Sequence, residues 1–322
     1  MNSPTRTDSV STHSRIIGHA STQGRSLNTF IDLFCGVGGF HIAAAAVGLE
    51  CVFASEIDKP ARSVYKSNFG IPPNGDITCI DASDVPDHDL LCAGFPCQPF
   101  SIIGNRRGFS DTRGTLFFDI ARILERKRPA AFVLENVKQL VTSDGGRIMD
   151  RIISVLQSLD YEVDFRVLNA LDYGLPQRRE RVLIVGRIDG LTDFDWPEPN
   201  ISMKPLSELL EKSPDKRHYV SDRIRNSRQK AHQADTIPSI WHENKGGNVS
   251  SHPFSCALRA GASYNYLLVN GVRRLTPREM FRLQGFPDSF NLHEVDAQAR
   301  KQAGNAVPVP MVKAVIRKLV NA

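Results

Sequence analysis

Thr29-Phe30-Ile31-Asp32-Leu33-Phe34 runs directly into Cys35-Gly36-Val37-Gly38-Gly39-Phe40, and the alanine-rich stretch Ile42 to Val47 follows. The apolar run predicts a strand, the glycines a sharp loop and the alanines a helix. Glycines suit such a junction when a ligand must approach the backbone with no Cβ in the way, and a helix start offers unpaired N–H groups. A tight structural turn is the plainer use of the same residues. His41 stands where the dinucleotide fingerprint GxGxxG has its third glycine, which argues against a pyrophosphate and for a simpler nucleoside ligand. The next apolar run, Cys51 to Ser55, ends at Glu56, twenty positions after Gly36, where folds of this kind place the acid that binds a ribose diol. Asp58 reads as the N-cap of a helix through Val64 and Tyr65, with Pro60 in its first turn. Asn74 to Thr78 reads alone as a solvated turn; an adenine contact by Asp76 and Ile77 is its other use.

Two further strand ends carry reactive groups. Asp89 to Ala93 leads into Gly94-Phe95-Pro96-Cys97-Gln98-Pro99-Phe100-Ser101, where two prolines each fix φ and stiffen the frame around Cys97. The octapeptide alone leaves Cys97 open between a nucleophile and a small buried apolar residue. Ala130 to Leu134 ends in Glu135-Asn136-Val137, so a carboxylate and a thiol share one sheet edge. Ligands of open α/β sheets collect there, which favours a site role for Glu135 over a surface charge. Between them lie a glycine-punctuated loop, Ile102 to Gly114, with Arg106, Arg107 and Arg113, and an amphipathic helix, Thr115 to Lys127, stopped by Pro129. A second amphipathic helix carries Ile148, Ile152, Val155, Leu156 and Leu159. Strands over Glu162 to Leu168 and Val182 to Gly186 then flank a loop with Arg178, Arg179 and Arg181, whose planar guanidinium groups suit carbonyl and phosphate oxygens.

The chain has 322 residues, 41% hydrophobic and 23% charged, with a formal net charge of +5. That mild basic bias permits a polyanionic partner without requiring one. No apolar run approaches the roughly 20 residues of a membrane span. The cysteines at 35, 51, 79, 92, 97 and 256 show no CxxC pair, so neither a disulfide framework nor a zinc site is suggested, and a reducing compartment fits. Met1 to Asn28 is rich in Ser and Thr without apolar periodicity and is expected to be a disordered tail.

Taken in order, the DLFxGxGG loop at Asp32, the GFPCQxFS stretch around Cys97, Glu135-Asn136-Val137, the QxRxR segment at Gln177 and the terminal Gly304-Asn305 resemble the DNA cytosine-5 methyltransferases of bacterial restriction-modification systems. The resemblance covers the chain from about Phe30 onward, apart from a variable middle. It implies an α/β fold: a doubly wound mixed sheet, Rossmann-like and S-adenosylmethionine-dependent, with a smaller target-recognition domain. It implies S-adenosyl-L-methionine, and no metal, held by Phe34, Gly36, Val37, Gly38, Gly39, Glu56, Ile57, Asp76, Ile77, Pro96, Leu116, Asn305 and Ala306. Cys97 would be the nucleophile, Glu135 the acid at the cytosine ring, and Arg179 and Arg181 the holders of the base carbonyl. The loop from Ile103 to Arg113 would close over a flipped base, with Ile102 or Ile103 wedged into the vacated stack.

The middle of the chain is read accordingly. Trp196-Pro197-Glu198-Pro199 marks a linker, and Lys216 to Lys230 carries six basic residues against Asp222, a phosphate-tracking surface. Trp241 to Asn248 and Arg259 to Tyr266 hold side chains able to read base edges. The expected division is a tail over 1–28, a catalytic and cofactor-binding domain over 29–189, a target-recognition domain over 190–276, and a hinge with a return to the first domain over 277–322. Thr276, Pro277 and Glu279 form a local helix-capping signature. Double-stranded DNA is the expected partner of a cytoplasmic, nucleoid-associated monomer that shares its site with a restriction endonuclease but forms no stable complex with it. A tRNA-directed relative and a catalytically silent DNA-binding regulator are the alternatives.

Overall fold

The computed structural model describes residues 25–96 and 116–322. Cys97, the Ile102–Ile103 pair, the arginines of the following loop and most of the N-terminal tail lie outside the described residues. The last four residues of the expected tail are held in place: Leu27 is buried, Arg25 N–H donates to Asp189 (2.8 Å) and Asn28 N–H donates to Asp89 (2.9 Å).

Order begins with β1 (Thr29–Leu33), α1 (Gly39–Ala45), β2 (Glu50–Ser55) and α2 (Lys59–Phe69), followed by β3 (Leu90–Gly94), α3 (Leu116–Lys127), β4 (Ala131–Val137) and α4 (Arg147–Ser158). Then come β5 (Glu162–Asn169), β6 (Gln177–Arg178) and β7 (Glu180–Arg187). Six of these strands form one sheet in the order β2-β1-β3-β4-β7-β5; β1 to β4 are parallel, and β7 runs antiparallel to both its neighbours. This is the expected doubly wound mixed sheet.

Alternate side chains of its strands enter opposite cores, as the pleat requires. Phe30 and Leu90 join the core under α1 and the C-terminal helices, whereas Ile31 and Leu91 join the one under α3 and α4. The chain leaves β1 for one side of the sheet and returns through β3 on the other, which opens a crevice beyond the C-terminal ends of those two strands. Asp58 caps α2 by accepting from Ala61 N–H (3.1 Å), as expected.

Past β7 the presumed linker is packed rather than free. Trp196 is buried, its Nε1 donates to Asp164 (2.7 Å), and Phe194 meets it edge-on. After α5 (Leu206–Leu209) and α6 (Asp222–Ala231), the strands β8 (Ile240–Glu243), β9 (Val249–His252), β10 (Ser255–Cys256), β11 (Leu267–Val269) and β12 (Arg273–Arg274) appear. Four of them form an antiparallel sheet ordered β12-β11-β8-β9, while β10 pairs in parallel with β6 and so ties this unit to the first.

The return begins with α7 (Pro277–Leu283), whose capping box is complete: Thr276 Oγ1 accepts from Glu279 N–H, and the Glu279 carboxylate accepts from Thr276 N–H. The same carboxylate takes both terminal nitrogens of Arg273 at 2.7 and 2.8 Å, and Glu211 N–H at 2.8 Å, with no exposure to solvent. Then α8 (Asp296–Asn305) and α9 (Val309–Val320) bring the chain back onto α1. Among the described residues, no helix is long and apolar enough to cross a membrane.

Candidate active site

A cavity of about 360 Å³ fills the crevice beyond β1 and β3. Its floor is the glycine turn. Phe34 sits at φ 54°, in the left-handed region that costs a bulky side chain energy, and a Cβ on Gly36 would meet nothing within 4 Å, so the turn is strained and open toward the cavity. Glu56 at the end of β2 fixes that turn: Oε2 accepts from Gly36 N–H (2.9 Å) and Oε1 from Asp58 N–H (2.8 Å). Each oxygen keeps a second lone pair for a ligand hydroxyl. Ile57 beside it is 69% exposed.

Of the residues singled out in the sequence, the structure brings Phe34, Gly36, Val37, Gly39, Glu56, Ile57, Pro96, Leu116, Glu135, Arg179, Arg181, Asn305 and Ala306 to the cavity wall. It does not bring Gly38, Asp76 or Ile77 there. A Cβ on Gly38 would lie 2.2 Å from Phe69, so this glycine serves the packing of α2 against the turn. The Asp76 carboxylate accepts from Thr78 N–H (3.0 Å) and Oγ1 (2.9 Å), capping a short turn, and Ile77 is buried in the core on the α3 side.

Glu135 lies in β4 opposite Gly94, where β3 ends, so its side chain emerges beside the free end of the neighbouring strand. Arg181 Nε reaches its Oε1 at 2.8 Å, and both side chains are nearly buried. Asn136 adds a function that sequence reasoning passed over: its Nδ2 donates to Phe95 C=O (2.9 Å) and its Oδ1 accepts from Val137 N–H (2.8 Å). It thereby braces the backbone two residues before Cys97. Its place next to Glu135 in the Glu-Asn-Val stretch was the available signal.

Arg179 departs from its expected contact with a base carbonyl. Its guanidinium is buried and spends its terminal nitrogens on backbone carbonyls, NH1 on Leu258 (2.9 Å) and NH2 on Gly304 (3.1 Å) and Ala306 (2.9 Å). Burial, reinforced by Arg181, pulls its pKa down to about 9, which leaves it charged at neutral pH. Beneath the glycine turn, His41 Nδ1 bonds Tyr65 Oη at 2.7 Å and its ring stacks on Phe69 at 3.8 Å. Burial lowers the His41 pKa to about 4, so the imidazole is neutral. In the small sheet, Trp241 and Tyr266, both placed in base-reading stretches by the sequence, are instead buried, and Glu243 is paired with Arg228. Lys245, Asn248 and Arg259 are exposed.

A profile of C-5 cytosine-specific DNA methylases matches residues 28–321. The chain belongs to that family. It is 57% identical over 287 residues to the type II methyltransferase M.NgoBI of Neisseria gonorrhoeae, covering 88% of this chain and 90% of that protein. It is 52% identical over 295 residues to the type II methyltransferase M.HaeII of Haemophilus aegyptius, covering 91% and 92%. The Dnmt2 methyltransferase of S. pombe superimposes with a TM-score of 0.69 over 91% of this chain and 98% of that one, at 22% identity, a likeness of fold. As a C-5 cytosine-specific DNA methylase the chain is an enzyme, a methyltransferase of the bacterial restriction-modification kind, and the resemblance read from its motifs holds.

Proposed function

We propose that this methylase modifies carbon 5 of a cytosine swung out of a specific double-stranded DNA sequence, through a covalent adduct with Cys97, and so protects host DNA from an endonuclease that acts on the same site. The observation that carries the reading is the Glu135–Arg181 pair at the inner wall of the cavity, with Pro96, the residue before Cys97, on the same wall.

The cavity fits S-adenosylmethionine in size, in the open approach over Gly36 and in its mixed lining. Glu56 would hold the ribose, Ile57 and Leu116 the adenine, and Phe34, Gly36, Asn305 and Ala306 the remainder; Asp76 and Ile77 would have to approach from outside the lining. When bound, S-adenosylmethionine supplies an electrophilic methyl group.

Carbon 5 of cytosine is too weak a nucleophile to accept that group unaided. The Cys97 thiolate adds to carbon 6, forming an S–C6 bond and making carbon 5 the nucleophilic end of an enamine. Glu135 hydrogen-bonds the ring at nitrogen 3 and draws charge away from carbon 6, while Arg181 orients Glu135 and faces the base carbonyl. Once carbon 5 carries the methyl group in addition to its proton, loss of that proton to a base re-forms the C5–C6 double bond, breaks the S–C6 bond and regenerates the thiolate. Extrusion of the base costs a few kcal/mol of stacking, which contacts with the phosphates must offset. Residues 190–276 would form the recognition part, with Lys245, Asn248 and Arg259 toward base edges and the exposed Arg223, Arg225 and Lys230 of α6 toward phosphates, whereas Arg228 of the expected basic surface is buried against Glu243.

Incubation with labelled S-adenosylmethionine and mixed-sequence DNA tests the whole reading: label enters DNA with the wild type, none with Cys97→Ser, and DNA bearing 5-fluorocytosine is trapped covalently. Glu135→Gln should lose about 100-fold or more in turnover, with much less effect on cofactor affinity. Label entering tRNA alone, or Glu135→Gln at wild-type turnover, would refute it.

A further inference from the structure

Gln177, in β6, and Arg179, between β6 and β7, lie two positions apart, and both reach the same residue of the small unit. Gln177 Oε1 accepts from Leu258 N–H (3.1 Å), and Arg179 NH1 donates to Leu258 C=O (2.9 Å). Each side chain also grips the C-terminal return. Gln177 Nε2 donates to Leu283 C=O (2.8 Å), and Arg179 NH2 donates to the carbonyls of Gly304 (3.1 Å) and Ala306 (2.9 Å), the two that flank Asn305. A third observation is independent of these bonds. A Cβ on Gly304 would lie 2.4 Å from Ala260 N and 2.7 Å from Arg259 C, so the backbone after Leu258 rests directly on α8 with no side chain between them.

Gly304, Asn305 and Ala306 line the cavity; Leu258 to Ala262 do not. The loop that starts at Leu258 is therefore seated on the outer side of the cavity wall and held by buried bonds whose loss would leave polar groups without partners. We propose that this junction couples the two sites: ligand in the cavity fixes the position of the loop at 258–266, DNA against the loop fixes the cavity wall, and Gln177 and Arg179 are the positioning residues that transmit the effect. The proposal rests on the reading that the cavity holds S-adenosylmethionine and that this loop faces DNA. Coupling of binding free energies is reciprocal, so either direction reports it.

Hydrogen exchange of the full-length protein with and without S-adenosylhomocysteine provides the test. Protection should rise at residues 34–40, in the cavity floor, and by about fivefold or more at residues 258–262, which do not line the cavity. In Gln177→Ala the rise at 34–40 should persist and that at 258–262 should fall below about twofold. Protection at 34–40 with none at 258–262 in the wild type overturns the proposal and leaves the cofactor reading intact; no protection at 34–40 overturns both. Affinity for mixed-sequence plasmid DNA gives the second measure, tightening about fivefold or more with S-adenosylhomocysteine in the wild type and little in Gln177→Ala. A purely structural role for Gln177 would lower the folded fraction and leave this ratio unchanged, and that result would overturn its assignment.

Discussion

Leu90 to Ala93 and Ala131 to Leu134, in the two central strands of the large sheet, are wholly shielded from water, whereas all four residues of β9 in the small sheet are half-exposed. The large sheet is held by apolar burial on both faces, a force without direction that tolerates change of detail but not of volume. The small sheet buries apolar side chains in β8 and β11 (Ile240, Trp241, Leu267, Leu268 and Val269), but its margins are fixed by directed pairs: Arg273 with Glu279, Arg228 with Glu243, Trp241 Nε1 with Ser239 Oγ, and the parallel pairing of β10 with β6. Directed bonds at the margins of a sheet fix its orientation in a way that apolar burial, having no direction, does not.

Phe132→Ala should break the first half of this contrast most severely. Its ring is fully buried, lies edge-on to Tyr161 at 5.1 Å and covers Gly186 so closely that a Cβ there would come within 2.3 Å. A loss of about 3–5 kcal/mol of global stability in denaturant titration is expected. Glu279→Ala strikes the second half. It leaves Arg273 buried without its partner and removes the acceptor of two backbone N–H groups, at a cost of about 3 kcal/mol or more. Here the loss should be local: hydrogen exchange should show residues 240–276 losing protection while 131–137 keep theirs, and equal loss in both would erase the contrast.

His41 sharpens the picture of the large sheet as a dry interior. Its pKa is about 4 when folded and near 6.5 when unfolded, so the unfolded chain binds the extra proton between those values. The contribution is intact above pH 6.5 and is lost as the pH falls toward 4. The stability difference between wild type and His41→Phe should shift by about 2 kcal/mol across that window, read from paired denaturant titrations. Lys301→Ala closes the series. Its ion pair with Asp58 is partly exposed, unlike that of Glu279, and its removal should cost less than about 1 kcal/mol and less still in high salt.

The large sheet was legible because its signals are local. The run Thr29 to Phe40 shows strand, turn and helix in sequence, and Glu56 lands where the spacing from Gly36 places it, on the turn itself. Glu135 and the glycine turn meet at one cavity because the strand order brings β1, β3 and β4 together, as the sharing of one sheet edge implied. What stayed hidden depends on distant partners. Nothing near Trp196 signals that Asp164 will receive its indole N–H, and nothing in the run of arginines separates Arg181, which meets Glu135, from Arg179, which meets three carbonyls up to 127 residues away. Trp241 looks like a base reader until strand pairing turns it inward, and Tyr266, just before β11, is buried with its hydroxyl accepting from Arg259 N–H (3.0 Å). Asp76 appeared available to an adenine because its local use as a cap depends on a turn that composition does not reveal.

The cavity takes its floor from residues 34–40 and a wall from residues 301–307, and Val307 packs so tightly on Gly39 that a Cβ there would lie 2.6 Å from it. On a ribosome the floor emerges more than 200 residues before the wall. A nascent chain that has already folded β1 to β7 has only part of this cavity, and on the proposed reading one stopped by a premature codon near residue 295 should fail to retain S-adenosylhomocysteine in equilibrium dialysis, whatever the state of its large sheet. Retention by such a fragment would show that the wall is dispensable; loss of retention would show that the cavity is complete only once residues 301–307 have emerged.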